Sequence, residues 1–448
     1  MSSRLIDGLL TTDALSQAFS DEVLIESMLD FEAALARAGA ACGAIPMPAG
    51  AVIAGAARST AVDIEALLRG ARRNATLSIP LVEALTRHVA AVDAEAARYV
   101  HWGATSQDVY DTAIVLCVRR AWRSIQADHT RLVSALGALA VKHAETVMLA
   151  RTLLQPAVPT TFGLKAAEWL GGVARSWDVW SASYERTQVL QFGGAAGTLA
   201  SLAEHATAVE EGLAGELDLA IPDAPWHAQR DRFANFVATG GVYTGSLAKI
   251  ARDISLLMQY EVGEVFEEGG GSSTMPHKRN PAGCATVLAC AHRLPGLVAT
   301  MLDCMVQEQE RSVGGWHAEA ATVADAVQAA GAAVAVLADT VEHLTVDERR
   351  MRRNIESTRG VIFAERVTFE AAPHLGRERA ADLVKAAVQS ATLSGRTLAD
   401  TVADSDDLRA ALSSHGHAAL FVPETYLGSA DVFRQRLITA SLPDPRKH

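Results

Sequence analysis

Aromatic side chains are scarce in this sequence, at 5% of 448 residues. Glycine and proline are also few, 33 and 14 respectively, which excludes a chain full of tight turns. With alanine abundant, these shortages favour long helices packed closely through small residues. Cysteine is limited to Cys42, Cys117, Cys284, Cys290 and Cys304. They are scattered, odd in number and without a C-x-x-C pair, so neither a disulfide framework nor a zinc site is indicated. Buried, reduced thiols in the cytosol are the expectation. Basic residues are outnumbered 40 to 52, a net charge of −12. That argues against nucleic-acid partners and against an anionic membrane surface. It leaves an anionic substrate open, because a cleft focuses local charge of either sign. Long apolar runs are absent too. The longest, Ala329 to Ala338, ends at Asp339, well short of the roughly 18 residues a membrane helix needs. The N-terminus carries Arg4 and Asp7 and lacks an apolar signal core. A cytoplasmic protein without a membrane partner is expected.

What is present is ordinary globular composition, 49% apolar and 21% charged, at a length that predicts two or three domains. Helical periodicity dominates. Leu24, Met28, Phe31, Leu35 and Ala38 fall at steps of four and three behind a candidate cap at Ser20. Leu247, Ile250, Ile254 and Leu257 form a second stripe; Val327, Ala330, Val334, Leu337, Val341 and Leu344 form a third. Such stripes read as bundle core. No run of strand-like alternation stands out. The expected organisation is a helical N-terminal domain over 1–110, a long-helix bundle over 111–360 and a small helical C-terminal domain over 361–448. The basic cluster Arg349, Arg350, Arg352 and Arg353 reads as a solvated helix face.

Three polar segments interrupt the helical pattern. The first, His101-Trp102-Gly103-Ala104-Thr105-Ser106-Gln107-Asp108, offers hydroxyls and backbone N–H groups that can hold a carboxylate, with His101 as a further donor. Equally, Thr105 or Ser106 can simply cap the next helix. The second runs from Arg151 through Thr152, Gln155, Pro156 and Pro159 to Gly163. Its prolines predict a bend between helices, with Thr152 and Gln155 free to face a ligand. The third is Gly269-Gly-Gly-Ser-Ser-Thr-Met-Pro-His-Lys-Arg-Asn280-Pro281. Here a glycine-freed loop runs toward a helix start, with Asn280 a candidate N-cap and Pro281 suited to the first helical position. A helix N-terminus of this kind favours an anion and can ease proton release from a serine.

In this order along the chain, the three segments resemble those of the fumarase/aspartase superfamily. The loop resembles its signature G-S-S-x-M-P-x-K-x-N without exception from Gly271 to Asn280. The resemblance covers nearly the whole chain. It implies an all-α fold: a long central helical bundle with smaller N- and C-terminal helical domains. It also implies a homotetramer whose active sites each gather the three segments from different subunits. Carried over residue by residue, Ser272 is the base that removes a proton alpha to a carboxylate. Lys278, Asn280, Thr105, Ser106, Thr152 and Gln155 bind substrate carboxylate.

The chain resembles the adenylosuccinate-lyase branch in its signature and C-terminal pattern, yet departs from it coherently. Leu153 stands where that branch has a histidine, and Ala285 stands where it has a glutamate. Those two residues make the acid that protonates a leaving nitrogen. A carboxylate, with a parent pKa of about 4, leaves without such help. The losses therefore resemble the cycloisomerase branch, which closes a carboxylate of 3-carboxy-cis,cis-muconate onto a conjugated double bond in protocatechuate breakdown. The stretch Gln309-Glu310-Arg311-Ser312-Val313-Gly314-Gly315-Trp316-His317-Ala318-Glu319 resembles that branch as well. It adds Arg311 to the expected substrate-binding set. The expected ligand is a small tricarboxylate, with Lys278, Arg311 and His101 or Arg151 offsetting its charge, and with no metal or organic cofactor. A C–N lyase and a non-catalytic structural descendant are the alternatives.

Overall fold

The computed structural model describes residues 4–271, 274–413 and 416–442. Ser272, the expected proton-handling residue, lies outside the described residues. The chain is dominated by helices, the longest being Ser106–Lys142, Phe162–Thr187, Asp231–Leu257, Ala282–Asp303 and Gly315–Glu342. The all-α expectation is met, and the predicted stripes are core. Leu247, Ile250, Ile254 and Leu257 are buried, as are all six residues from Val327 to Leu344. Each fully buried Leu or Ile contributes about 1.5–3 kcal/mol.

The chain forms two compact units. The first comprises Met1–His129, Ser176–Ala248 and Thr286–Val336. Its helix Asp21–Ala41 is capped as predicted, with the Ser20 hydroxyl accepting from the Val23 N–H at 3.2 Å. Close packing through small residues is realised at Gly50, where a Cβ would lie 2.4 Å from that of Ala40. The few aromatics are concentrated rather than dispersed. Trp122 stacks on Trp177 and Tyr184, with Trp180, Phe236 and Tyr243 packed around them. His129 stacks on Trp177 at 3.9 Å, and burial lowers its pKa to about 4, so this imidazole is a neutral part of the core.

The second unit comprises Thr130–Arg175, Lys249–Ala285 and Leu337–His448. Its C-terminal helices bury Val367, Ala371, Val384, Leu398, Val402 and Leu408 in one cluster. Here the structure corrects the sequence reading. The second polar segment is not a bend between helices but an antiparallel hairpin, Val147–Thr152 paired with Gln155–Thr161. Leu153 and Leu154 form its two-residue turn at φ of +50° and +64°. Both central residues of such a turn take positive φ, a geometry usually given to Asn and Gly. The prolines fit because Pro156 and Pro159 sit in a two-stranded ribbon, where each strand has an unpaired edge.

Two helices, Ala282–Asp303 and Gly315–Glu342, are long and apolar enough to cross a membrane by length and composition. The apolar window of Gly315–Glu342 is 72% buried inside the protein, as a core helix should be; that of Ala282–Asp303 is only 22% buried.

Candidate active site

In the first unit, the segment from His101 to Asp108 folds into a tight entry to the helix Ser106–Lys142. Thr105 stands at the cap position. Its N–H donates to the Asp108 carboxylate at 2.9 Å, closing the first turn from its own side chain. Asp108 is fully buried and also accepts from the N–H groups of Gly193 and Gly194, each at 3.0 Å, and pairs with His227 Nε2 at 2.6 Å. The Thr105 hydroxyl is thereby left for another partner, and that partner is Arg311. One guanidinium nitrogen of Arg311 donates to Thr105 Oγ1 at 2.7 Å and the other to Ser106 Oγ at 3.0 Å. Three residues expected to bind substrate thus meet, 205 and 206 positions apart in the chain. Among the described residues no carboxylate neutralises Arg311, so its charge is available to a ligand.

His101 belongs to the same segment. It adopts φ of +60° and is half-buried, with Nδ1 2.6 Å from Glu32 Oε1. Burial alone would lower its pKa. The charge and hydrogen bond of Glu32, with Asp108 further off, outweigh burial and hold the imidazole above its usual value.

Beneath this surface lies a buried charge cluster. Arg230 forks onto Asp111 at 2.8 and 3.0 Å, and its Nε meets Glu319 at 2.8 Å. Trp316 Nε1 donates to Asp111 at 2.8 Å, and Gln107 and Gln191 donate to it at 3.1 and 3.2 Å. The cluster ties the start of the helix Gly315–Glu342 to the helix that carries Ser106, which fixes the approach of Arg311. Sequence reasoning missed Asp111 and Arg230. The one signal available was Asp108 and Asp111 standing among Val109, Ala113, Ile114 and Val115, acids on a face that is otherwise core.

The remaining expected residues belong to the second unit. Thr152 and Gln155 face each other across the hairpin end and are exposed. Arg151 is not a free cation, because its guanidinium is bidentate on the buried Glu264, at 2.9 and 2.7 Å. In the third segment Gly270 has φ of +68°, and a Cβ there would lie 2.0 Å from the Asn280 carbonyl oxygen. That contact, with Asn280 N–H donating to the Gly270 carbonyl at 2.8 Å, requires glycine at this position. Asn280 is not the N-cap, since the helix begins at Ala282. The helix N-terminus is also not an open anion site. The Glu267 carboxylate already accepts from the N–H groups of Gly283 and Cys284, at 2.8 and 3.0 Å. What remains for a ligand is Lys278, exposed and without a side-chain partner among the described residues. With His277 and Arg279 it lines a cavity of about 640 Å³ whose other wall carries Asp347, Arg350 and Arg353. Of the predicted basic face, Arg350 is spent on the carbonyls of Val262 and Glu261, at 2.8 and 2.6 Å.

Residues 9–296 match the family described as Lyase, and residues 360–437 match the adenylosuccinate lyase C-terminus. The chain belongs to this lyase family. A 3-carboxy-cis,cis-muconate cycloisomerase of Bradyrhizobium diazoefficiens is 47% identical over 440 residues, 97% of this chain and 98% of that protein. One of Pseudomonas aeruginosa is 44% identical over 97% of this chain and 96% of its own. The crystal structure of the 3-carboxy-cis,cis-muconate lactonizing enzyme from Pseudomonas putida superposes with a TM-score of 0.92 at 43% identity, covering 98% of each chain. The lyase-family fold inferred from three short motifs is therefore the fold of the whole chain.

Proposed function

We propose that the protein is a cycloisomerase converting 3-carboxy-cis,cis-muconate to 4-carboxymuconolactone, a step of protocatechuate breakdown. The observation that carries the reading is the near-full-length likeness to cycloisomerases, at 44–47% identity. Leu153 and Ala285, where a lyase releasing nitrogen needs an acid, agree with it. In this mechanism an oxygen of one substrate carboxylate forms a bond to an alkene carbon. The π electrons move onto the neighbouring carbon and its attached carboxylate, giving an enolate-like intermediate. Ser272 then delivers a proton to that carbon, the reverse of its proton removal in elimination. Lys278, with Asn280 beside it, opposes the negative charge that grows during ring closure. Arg311, Thr105, Ser106 and His101 bind substrate carboxylate, as do Thr152 and Gln155. Arg311→Ala should raise KM for 3-carboxy-cis,cis-muconate by about 10- to 100-fold, the worth of a charge-assisted hydrogen bond. Arg311→Lys should recover little, since a single ammonium lacks the fork that spans Thr105 and Ser106. Steady-state assays in which both variants keep the wild-type KM would remove Arg311 from the site.

The same reading makes the protein a cytoplasmic homotetramer with shared active sites. The exposed apolar surface of Ala282–Asp303 supports it, since water is a poor neighbour for a helix of that composition. Sedimentation of the pure protein as a monomer would sink this part.

A further inference from the structure

Glu32 stands apart from the residues of the proposed reaction. It lies on the helix Asp21–Ala41 and is 1% exposed. One carboxylate oxygen meets His101 Nδ1 at 2.6 Å; the other, Oε2, is buried with no hydrogen-bond partner among the described residues. A buried carboxylate is costly unless paired and hydrogen-bonded, and among the described residues a single histidine carries that compensation. The histidine is itself held in the left-handed region, at φ of +60°. A β-carbon-bearing residue in that region stores strain that the surroundings must maintain. A carboxylate with one oxygen orphaned and the other held by a strained donor through one short bond indicates a pair kept for orientation rather than for stability.

We propose that Glu32 is a positioning residue for the reaction: by engaging Nδ1 of His101 it fixes the ring so that Nε2–H is the donor presented to a substrate carboxylate beside Thr105, Ser106 and Arg311. This rests on reading that cluster as a carboxylate site. Nε2 has no partner among the described residues, so it is the nitrogen left for a ligand. With Nδ1 donating to Glu32, an Nε2 that also carries a proton makes the ring a cation, which suits a substrate with three negative charges in a protein of net charge −12. The ionisable groups acting on the imidazole are Glu32 and, from the helix Ser106–Lys142, Asp108, itself paired with His227. Both carboxylates favour the charged ring. As pH rises through the raised pKa of His101 the cation is lost, and carboxylate binding weakens with it.

The test is Glu32→Gln in the full-length protein, assayed with 3-carboxy-cis,cis-muconate across pH. KM should rise about 10-fold, the scale of one charged hydrogen bond, with kcat changing far less. The alkaline rise in KM should move to lower pH, and Glu32→Asp should restore part of both. A folded Glu32→Gln protein with wild-type KM and an unmoved KM–pH profile overturns the inference; if Arg311→Ala is impaired in the same assay, the carboxylate-site reading stands without it. If Arg311→Ala is also unaffected, that reading fails and takes the inference with it. Should Glu32→Gln not fold, ¹⁵N-detected titration of His101 in the wild-type protein decides. A protonated Nδ1 and a pKa above that of free histidine support the pair; an unprotonated Nδ1 at neutral pH refutes it.

Discussion

Ser272→Ala should lower turnover of 3-carboxy-cis,cis-muconate by roughly 10²- to 10⁴-fold, the usual contribution of a positioned proton donor. A reaction that releases or adds nitrogen needs two proton-handling groups, one on each side of the bond. At the positions where relatives of the adenylosuccinate-lyase branch carry the second, this chain carries Leu153, at the tip of a hairpin, and Ala285, inside a helix. Neither side chain has a proton to give. Lactone formation needs only one proton transfer, to the carbon next to the new C–O bond, and the family signature places a serine for it. In the proposed mechanism all of the acid–base catalysis rests on Ser272, so its loss should fall on kcat. Binding by Arg311, Thr105 and Ser106 should persist, leaving KM within a few-fold of wild type. An ultraviolet assay following loss of the conjugated diene measures both, with circular dichroism confirming the fold. Turnover within about 3-fold of wild type would remove Ser272 from the mechanism, and rapid cleavage of adenylosuccinate by the native protein would refute the argument from the missing acid.

The helices and the site were legible in the sequence to different degrees, for physical reasons. A stripe such as Leu247, Ile250, Ile254 and Leu257 encodes its own burial, because helix geometry alone puts those side chains on one face. The hairpin over Val147–Thr161 carried no such code. Val147, Met148 and Leu149 are consecutive and all buried, which breaks the alternation a half-buried strand would show, and Leu153-Leu154 replaces the usual turn residues. The glycine loop could be read for its backbone freedom but not for its occupancy. Nothing local says that Glu267, from a segment ending in a glycine run, bends back to satisfy the N–H groups of Gly283 and Cys284. Thr105, Ser106 and Arg311 were each identified from their motifs, yet the bonds joining them depend on a fold that brings positions more than 200 apart together. Glu32 and Arg230 carried no local signal, and Asp111 only a faint one, for the converse reason. A charged residue on a helix, as Glu32 and Asp111 are, or just ahead of one, as Arg230 is, ordinarily faces water, and only the packed structure reveals one buried against a partner.

Arg230→Met should destabilise the protein by about 3–5 kcal/mol, the range for removing one partner from a buried ion pair, and by more at pH 8 than at pH 5. The cluster holds one guanidinium and two carboxylates, all at 4% exposure or less. With Arg230 in place, burial raises the Glu319 pKa against the attraction of the guanidinium, and the balance sits at about 7, up from 4.5. A carboxyl with a raised folded pKa binds its proton more tightly folded than unfolded. Its contribution is therefore fully present below about pH 4.5 and is lost as pH climbs to about 7. Removing Arg230 deletes the attraction and pushes Glu319 higher still. At pH 5 Glu319 is protonated in wild type and variant alike, so the variant loses mainly the Asp111 pairing and some packing. At pH 8 it must either bury a second unpaired carboxylate or hold a proton against the solution. Arg230→Lys should fall between, keeping the charge but not the fork that reaches both acids. Because Asp111 also receives Trp316 Nε1–H, five residues beyond Arg311, the Met variant should show a raised KM wherever it remains folded. Urea unfolding at the two pH values checks the energetic claim. A loss below about 1 kcal/mol, or one equal at pH 5 and pH 8, would mean that Arg230 does not balance the two carboxylates.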